Sequence, residues 1–161
     1  MGGSNITDSP QDIDDGSASD FRYMFWVRKD TAFSMVDSEL HEVGWDFDNP
    51  GLVIDTNATT FINSIITRCK LGIMFNWTSN HFVSDCRIMQ IGSGSDYDGI
   101  MCYNSYNNII RNCYFEDIVS VGVSLYYSEN NTIENCTFVN AKVGIGVAYA
   151  NNNHISDVSV Q

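Results

Sequence analysis

Two short segments carry the side chains best suited to chemistry. WDFDNP (45–50) and GSGSDYDG (92–99) each hold an aspartate pair at D-x-D spacing, Asp46 with Asp48 and Asp96 with Asp98. Arg68 and Lys70 stand in a tight turn between them. Carboxylates in glycine-rich loops can supply the several oxygen ligands that Ca²⁺ favours. A carboxylate pair ~5–10 Å apart can also serve glycoside hydrolysis. The expectation is a shallow cleft walled by the four aspartates, with Arg68 and Lys70 on its floor. Solvated acidic loops are the simpler alternative, so no residue is assigned as catalytic. Ca²⁺ is the one cofactor the pairs suggest, at Asp96 and Asp98. His41, His81 and His154 are scattered along the chain and suggest neither a metal site nor a triad.

The elements that must position these residues come from an internal repeat. NNTIENCTF (130–138) has counterparts at 33–40, 58–66, 80–88, 107–115 and 152–160. Aligned on Cys136, the equivalent residues are Ser38, Ser64, Cys86, Cys113, Cys136 and Val158, spaced 26, 22, 27, 23 and 22 apart. A period of this size suits solenoid coils. One place before each anchor stand Asp37, Asn63, Asp85, Asn112, Asn135 and Asp157. Asn and Asp tolerate a left-handed backbone, and stacked copies can hydrogen-bond into a ladder.

Three places before the anchor the column reads Met35, Phe61, Val83, Ile110, Ile133, Ile155; two places after, Leu40, Ile66, Ile88, Phe115, Phe138, Val160. A second block begins at Gly51, Gly72, Gly99, Gly122 and Gly144, followed by apolar residues at alternate positions. Phe25 and Val27 fit the same register one coil earlier. Alternation inside each segment is the signature of strands, and no 3.6-residue period persists. The expected fold is therefore all-β, a right-handed parallel β-helix of about six coils with three short strands each. A two-sheet sandwich gives no reason for six aligned Asn or Asp. Residues 1–20 are small, polar and acidic and are read as a flexible leader, with the β-helix over 21–161.

These repeats, N-x-I-x-N-x-x-F and G-I-x-V, resemble those of the pectate-lyase-like superfamily, closest to the repeats of carbohydrate-binding and sugar-hydrolysing surface proteins. The resemblance covers about residues 21–161. It implies the scaffold, and for lyases it implies Ca²⁺ held against a sugar carboxylate with a basic residue taking the adjacent proton. No catalytic motif of the family matches here residue by residue.

On the outer side of the G-I-x-V strands the register places Met74, Met101 and Ser124, then Asp55, Asn76, Tyr103 and Tyr126. Tyr103 and Tyr126 should stand side by side on neighbouring coils. With Met101 and Asn76 they form a candidate surface for sugar rings or a protein neighbour. Trp77, Tyr127 and Tyr149 come next in the register, where closing the corner is the expected alternative to a binding role.

A net charge of -12 and a pI near 4.2 exclude the phosphate-neutralising role of a nucleic-acid binder. No apolar run approaches the ~20 residues of a membrane span. No signal peptide opens the chain, and the start MGGSNIT fits a domain cut from a longer secreted precursor. Sequons at Asn5, Asn57, Asn76, Asn130 and Asn135 suit a secreted glycoprotein. Five cysteines without a CxxC pair make no zinc motif, and Cys86, Cys113 and Cys136 share one column, as a thiol stack or with one bridge. The chain stops at Gln161 in mid-coil, which suggests a fragment or an end that stacks on further coils or copies of itself. The leading expectation is an extracellular or cell-surface module, structural, adhesive or carbohydrate-binding. A polysaccharide lyase or hydrolase domain and a viral fibre segment are the alternatives.

Overall fold

The computed structural model describes residues 5–6, 24–44, 50–92 and 97–161. Its strands are all parallel and stack as a solenoid of three-strand coils, because every apolar column meets its own equivalent one rung away. Phe61 pairs with Val83, Val83 with Ile110, Ile110 with Ile133 and Ile133 with Ile155 in a six-stranded sheet. The anchor strands and the glycine strands together form an eleven-stranded sheet. Its anchor side runs through Glu39–His41, Ile65–Thr67 and Arg87–Ile91, and its glycine side through Phe25–Val27, Gly51–Ile54, Leu71–Asn76 and Ile100–Tyr103.

Two strands join these sides. Tyr114–Tyr126 and Thr137–Ala148 continue through the corner between anchor and glycine, 13 and 12 residues long, each fusing two of the three short strands expected in its coil. Those coils carry no insertion there, so backbone pairing persists around the bend, with one register shift between Ile118 and Val121. The insertions that the earlier coils carry in sequence, residues 45–49 and 93–96, lie outside the described residues. Within the expected leader, Asn5–Ile6 form a short strand paired with Glu39 and Leu40.

The core is a set of single-file stacks. Phe61, Phe75, Phe115, Phe138, Ile66, Ile88, Ile100 and Ile133 are fully buried, each contributing roughly 1.5–3 kcal/mol of burial. The repeated glycine is required by close approach. A Cβ on Gly122 would lie 2.2 Å from Phe138 Cδ1 and 2.7 Å from the Gly144 carbonyl oxygen.

The cysteines have a local explanation. Ser64, Ser105 and Ser128 each bury a hydroxyl that donates to the carbonyl two residues earlier, at 2.8, 3.1 and 3.0 Å. Cys86, Cys113 and Cys136 repeat that bond with a thiol at 3.3, 3.1 and 3.3 Å. Cysteine thus does the work of serine at equally buried positions. No disulfide joins the five. Burial pushes the Cys102 thiol up to about 12.

Candidate functional site

Each coil turns by placing single residues in the left-handed region, and the turns differ in what they put there. Asp37, Asn63, Asp85, Asn112, Asn135 and Asp157 all have φ between 47 and 58°. Their side chains bond in runs, Asn63 to Asp37 at 2.7 Å, Asn112 to Asp85 at 3.2 Å and Asn135 to Asn112 at 2.8 Å.

A second ladder, buried and not singled out in the sequence, lies behind the turn that follows the glycine strands. Asn80, Asn107, Asn130 and Asn152 take the left-handed conformation. The residue after each points inward. Asn108 Oδ1 accepts from His81 N–H, Asn131 Oδ1 from Asn108 N–H and Asn153 Oδ1 from Asn131 N–H, all at 2.9 Å. Asn131 Nδ2 also donates to the Ser105 carbonyl and to Asn153 Oδ1. His81 takes the asparagine position one rung earlier and stacks on Phe75 at 4.0 Å. Its Nδ1 accepts from the Thr59 N–H, which leaves Nε2 to donate to Thr78 Oγ1 at 2.8 Å. Burial lowers its pKa to about 4, so the ring is neutral at physiological pH.

In front of this ladder, three residues earlier, a further left-handed column reads Trp77, Asn104, Tyr127 and Tyr149, with φ of 55, 47, 52 and 52°. Bulky aromatics seldom occupy that region. The conformation is enforced from both sides. The N–H groups of Trp77, Asn104 and Tyr127 donate to carbonyls of the next rung, and the buried Thr78, Ser105 and Ser128 follow. The rings face solvent, with Trp77 70%, Tyr149 71% and Tyr127 42% exposed.

They join the outward tyrosines in one band. Tyr103 stacks with Tyr126 at 5.7 Å and Tyr127 with Tyr149 at 4.9 Å, and edge contacts link Trp77 to Tyr103 at 6.2 Å and Tyr126 to Tyr127 at 4.5 Å. A hydrogen bond with Tyr127 raises the Tyr126 phenol. Met101 lies half-buried beside the band, paired with Met74 and Ser124. In the column of Tyr103 and Tyr126, earlier coils place Asn76 and Asp55. Asn76 Nδ2 donates to Asp55 Oδ1 at 2.9 Å, Trp26 Nε1 donates to Asp55 Oδ2, and the Arg28 guanidinium lies 4.7 Å over the Trp26 ring.

The expected acidic cleft is not assembled from its described members. Asp98 is buried, accepting from Val121 N–H at 3.1 Å and from the Ser124 hydroxyl. It ties down the neighbouring strand beside the register shift, which turns it away from a role as an open loop ligand. Arg68 pairs with Glu42 at 2.9 Å, and the Lys70 ammonium lies 4.4 Å over the Tyr97 ring. Asp46, Asp48 and Asp96 lie outside the described residues. Among the described residues no three His, Cys, Asp or Glu side chains converge as a metal site. Nor is any helix among them long and apolar enough to cross a membrane.

Comparison with known proteins fits the coil geometry. The family model for a right handed beta helix region matches residues 15–160. The chain belongs to this family. No curated protein matches the sequence. Among solved structures, full-length QnrB1, a plasmid-mediated fluoroquinolone resistance protein, is similar at 13% identity over 86% of this chain and 82% of its own, with a TM-score of 0.27. A trypsin-treated form of QnrB1 gives 12% identity over 100% of this chain and 90% of its own, with a TM-score of 0.22. Both scores are too low to carry an inference from QnrB1 to this β-helix.

Proposed function

We propose that this β-helix is a non-catalytic glycan-binding module whose binding surface is the aromatic corner. The observation that carries the reading is the left-handed column Trp77, Asn104, Tyr127, Tyr149. Asn104 shows that asparagine meets the backbone demand there, as Asn63, Asn80, Asn107 and Asn130 do at other left-handed positions, yet three of four coils hold an aromatic ring instead. A strained backbone filled by exposed rings points to a requirement other than folding. Rigid rings with hydroxyl and indole N–H handles offer sugars both apolar contact and hydrogen bonds at low entropic cost. A module of this kind acts outside the cell or at its surface, and the acidic chain repels its neighbours in solution.

Affinity electrophoresis through gels containing soluble polysaccharides tests this. The parent protein should be retarded by at least one polymer, and Trp77→Ala with Tyr149→Ala should abolish the retardation. Val143→Ser, at an exposed residue of the corner between the anchor and glycine strands, should not. Unretarded migration through a broad panel would remove the glycan reading. If light scattering then showed self-association lost in the same double variant, the rings would serve contacts between copies.

A further inference from the structure

The aromatic band has a polar end, and that end discriminates among ligands. From Tyr126 down the outward column the residues run Tyr103, Asn76 and Asp55, one per rung, so the rings lead directly to a carboxylate. Asp55 is held from two sides. Asn76 Nδ2 reaches Oδ1 and the Trp26 indole reaches Oδ2. An ionised carboxylate has about four lone-pair sites, so each oxygen retains capacity for one more donor. Two fixed acceptor sites, aimed from one half-exposed group beside a Trp ring, suit a pair of neighbouring sugar hydroxyls.

Charge narrows the class further. Asp55 and the part-exposed Glu129, which accepts from Asn151, flank the band. The cation next in the column, Arg28, lies over the Trp26 ring. A uronate would bring its own carboxylate against Asp55 in a chain of formal net charge -12, and like charges at close range are disfavoured.

We infer that Asp55 is the hydroxyl-reading end of the track, and that the track takes a neutral glycan bearing vicinal hydroxyls in preference to a polyuronate. This rests on the reading that the aromatic corner binds glycan. Sugar hydroxyls donate to the lone pairs of Asp55 that Asn76 and Trp26 leave open. Asn76 and Trp26 are positioning residues, holding the carboxylate in one rotamer.

The test uses affinity electrophoresis with galactomannan and polygalacturonate as probes. Galactomannan should retard the parent protein and polygalacturonate should not. Asp55→Asn and Asp55→Ser should each weaken the galactomannan interaction about tenfold, the loss expected for hydrogen bonds to a charged acceptor. Trp26→Phe, which keeps a ring and Asp55 but removes the indole donor, should weaken it less. Unchanged galactomannan binding in both Asp55 variants would overturn the inference while leaving the aromatic corner as a glycan site. So would equal retardation by polygalacturonate, or a Trp26→Phe loss matching that of Asp55→Asn. Absence of binding to either probe and to a wider neutral panel would overturn both readings together.

Discussion

Two turns in each coil make the same demand on the backbone and answer it differently. At one, Asn80, Asn107, Asn130 and Asn152 occupy the left-handed position, with His81, Asn108, Asn131 and Asn153 buried behind them in an unbroken ladder. At the other, only three residues earlier along the chain, the same conformation is filled by Trp77, Tyr127 and Tyr149, with Asn104 as the exception. The first turn uses residues whose conformational preference agrees with the fold. The second overrides that preference with exposed rings. The contrast separates what this solenoid needs to stand from what it presents to its surroundings.

The largest effect should come from breaking the inner ladder. Asn131→Leu strands the Asn108 N–H and the Ser105 carbonyl without partners in a dry interior. Each orphaned group costs about 1–3 kcal/mol, so urea unfolding should register a loss of roughly 2–6 kcal/mol.

The His81 rung sharpens the contrast through pH. The folded-state pKa of about 4 lies below the ordinary 6.5, so between those values the unfolded chain binds the extra proton. The stability tied to neutral His81 is therefore full above pH 6.5 and is lost as pH falls through about 4. Its size is on the order of 3 kcal/mol. His81→Asn should continue the ladder and flatten this portion of the pH profile, measured as the difference in unfolding free energy between parent and variant.

A smaller loss is expected at the exposed Asn and Asp column. Asn63→Ala puts a Cβ residue without a side-chain partner at φ 47° and removes the bond to Asp37. The cost should be about 1–2 kcal/mol by urea unfolding. Least of all, Cys113→Ser should shift stability by under about 1 kcal/mol, since Ser64, Ser105 and Ser128 already make the same bond in equivalent corners. Cys113→Val, which loses the donor, should cost more.

The scaffold was legible in the sequence because period-two alternation and a 22-residue repeat constrain every side chain. Phe61, Val83, Ile110 and Ile133 share a stack because a one-residue slip would turn them all to solvent. Tyr103 and Tyr126 were legible as outward neighbours for the same reason. Four features were not. In the doublets Asn107–Asn108 and Asn130–Asn131 the two asparagines look alike, and only the turn geometry sends one outward and the other into the core. Trp77 and Tyr127 follow outward positions without advertising a left-handed backbone. Their signal is a small residue next and an asparagine two beyond it, as in Trp77-Thr78-Ser79-Asn80 and Tyr127-Ser128-Glu129-Asn130. Asp98 reads locally as a loop ligand, and its burial depends on a register shift in a strand more than twenty residues later. Likewise, sequence proximity gives no hint that Arg68 turns to Glu42.

The most direct test of the contrast is a triple variant, Trp77→Asn, Tyr127→Asn, Tyr149→Asn, with melting temperature and polysaccharide retardation measured on the same preparation. Asparagine relieves left-handed strain at each site while the lost ring contacts offset part of that gain. The expected result is a melting temperature equal to or above that of the parent together with complete loss of retardation. A β-helix that melts well below the parent, or one that still binds polysaccharide as the parent does, would contradict it.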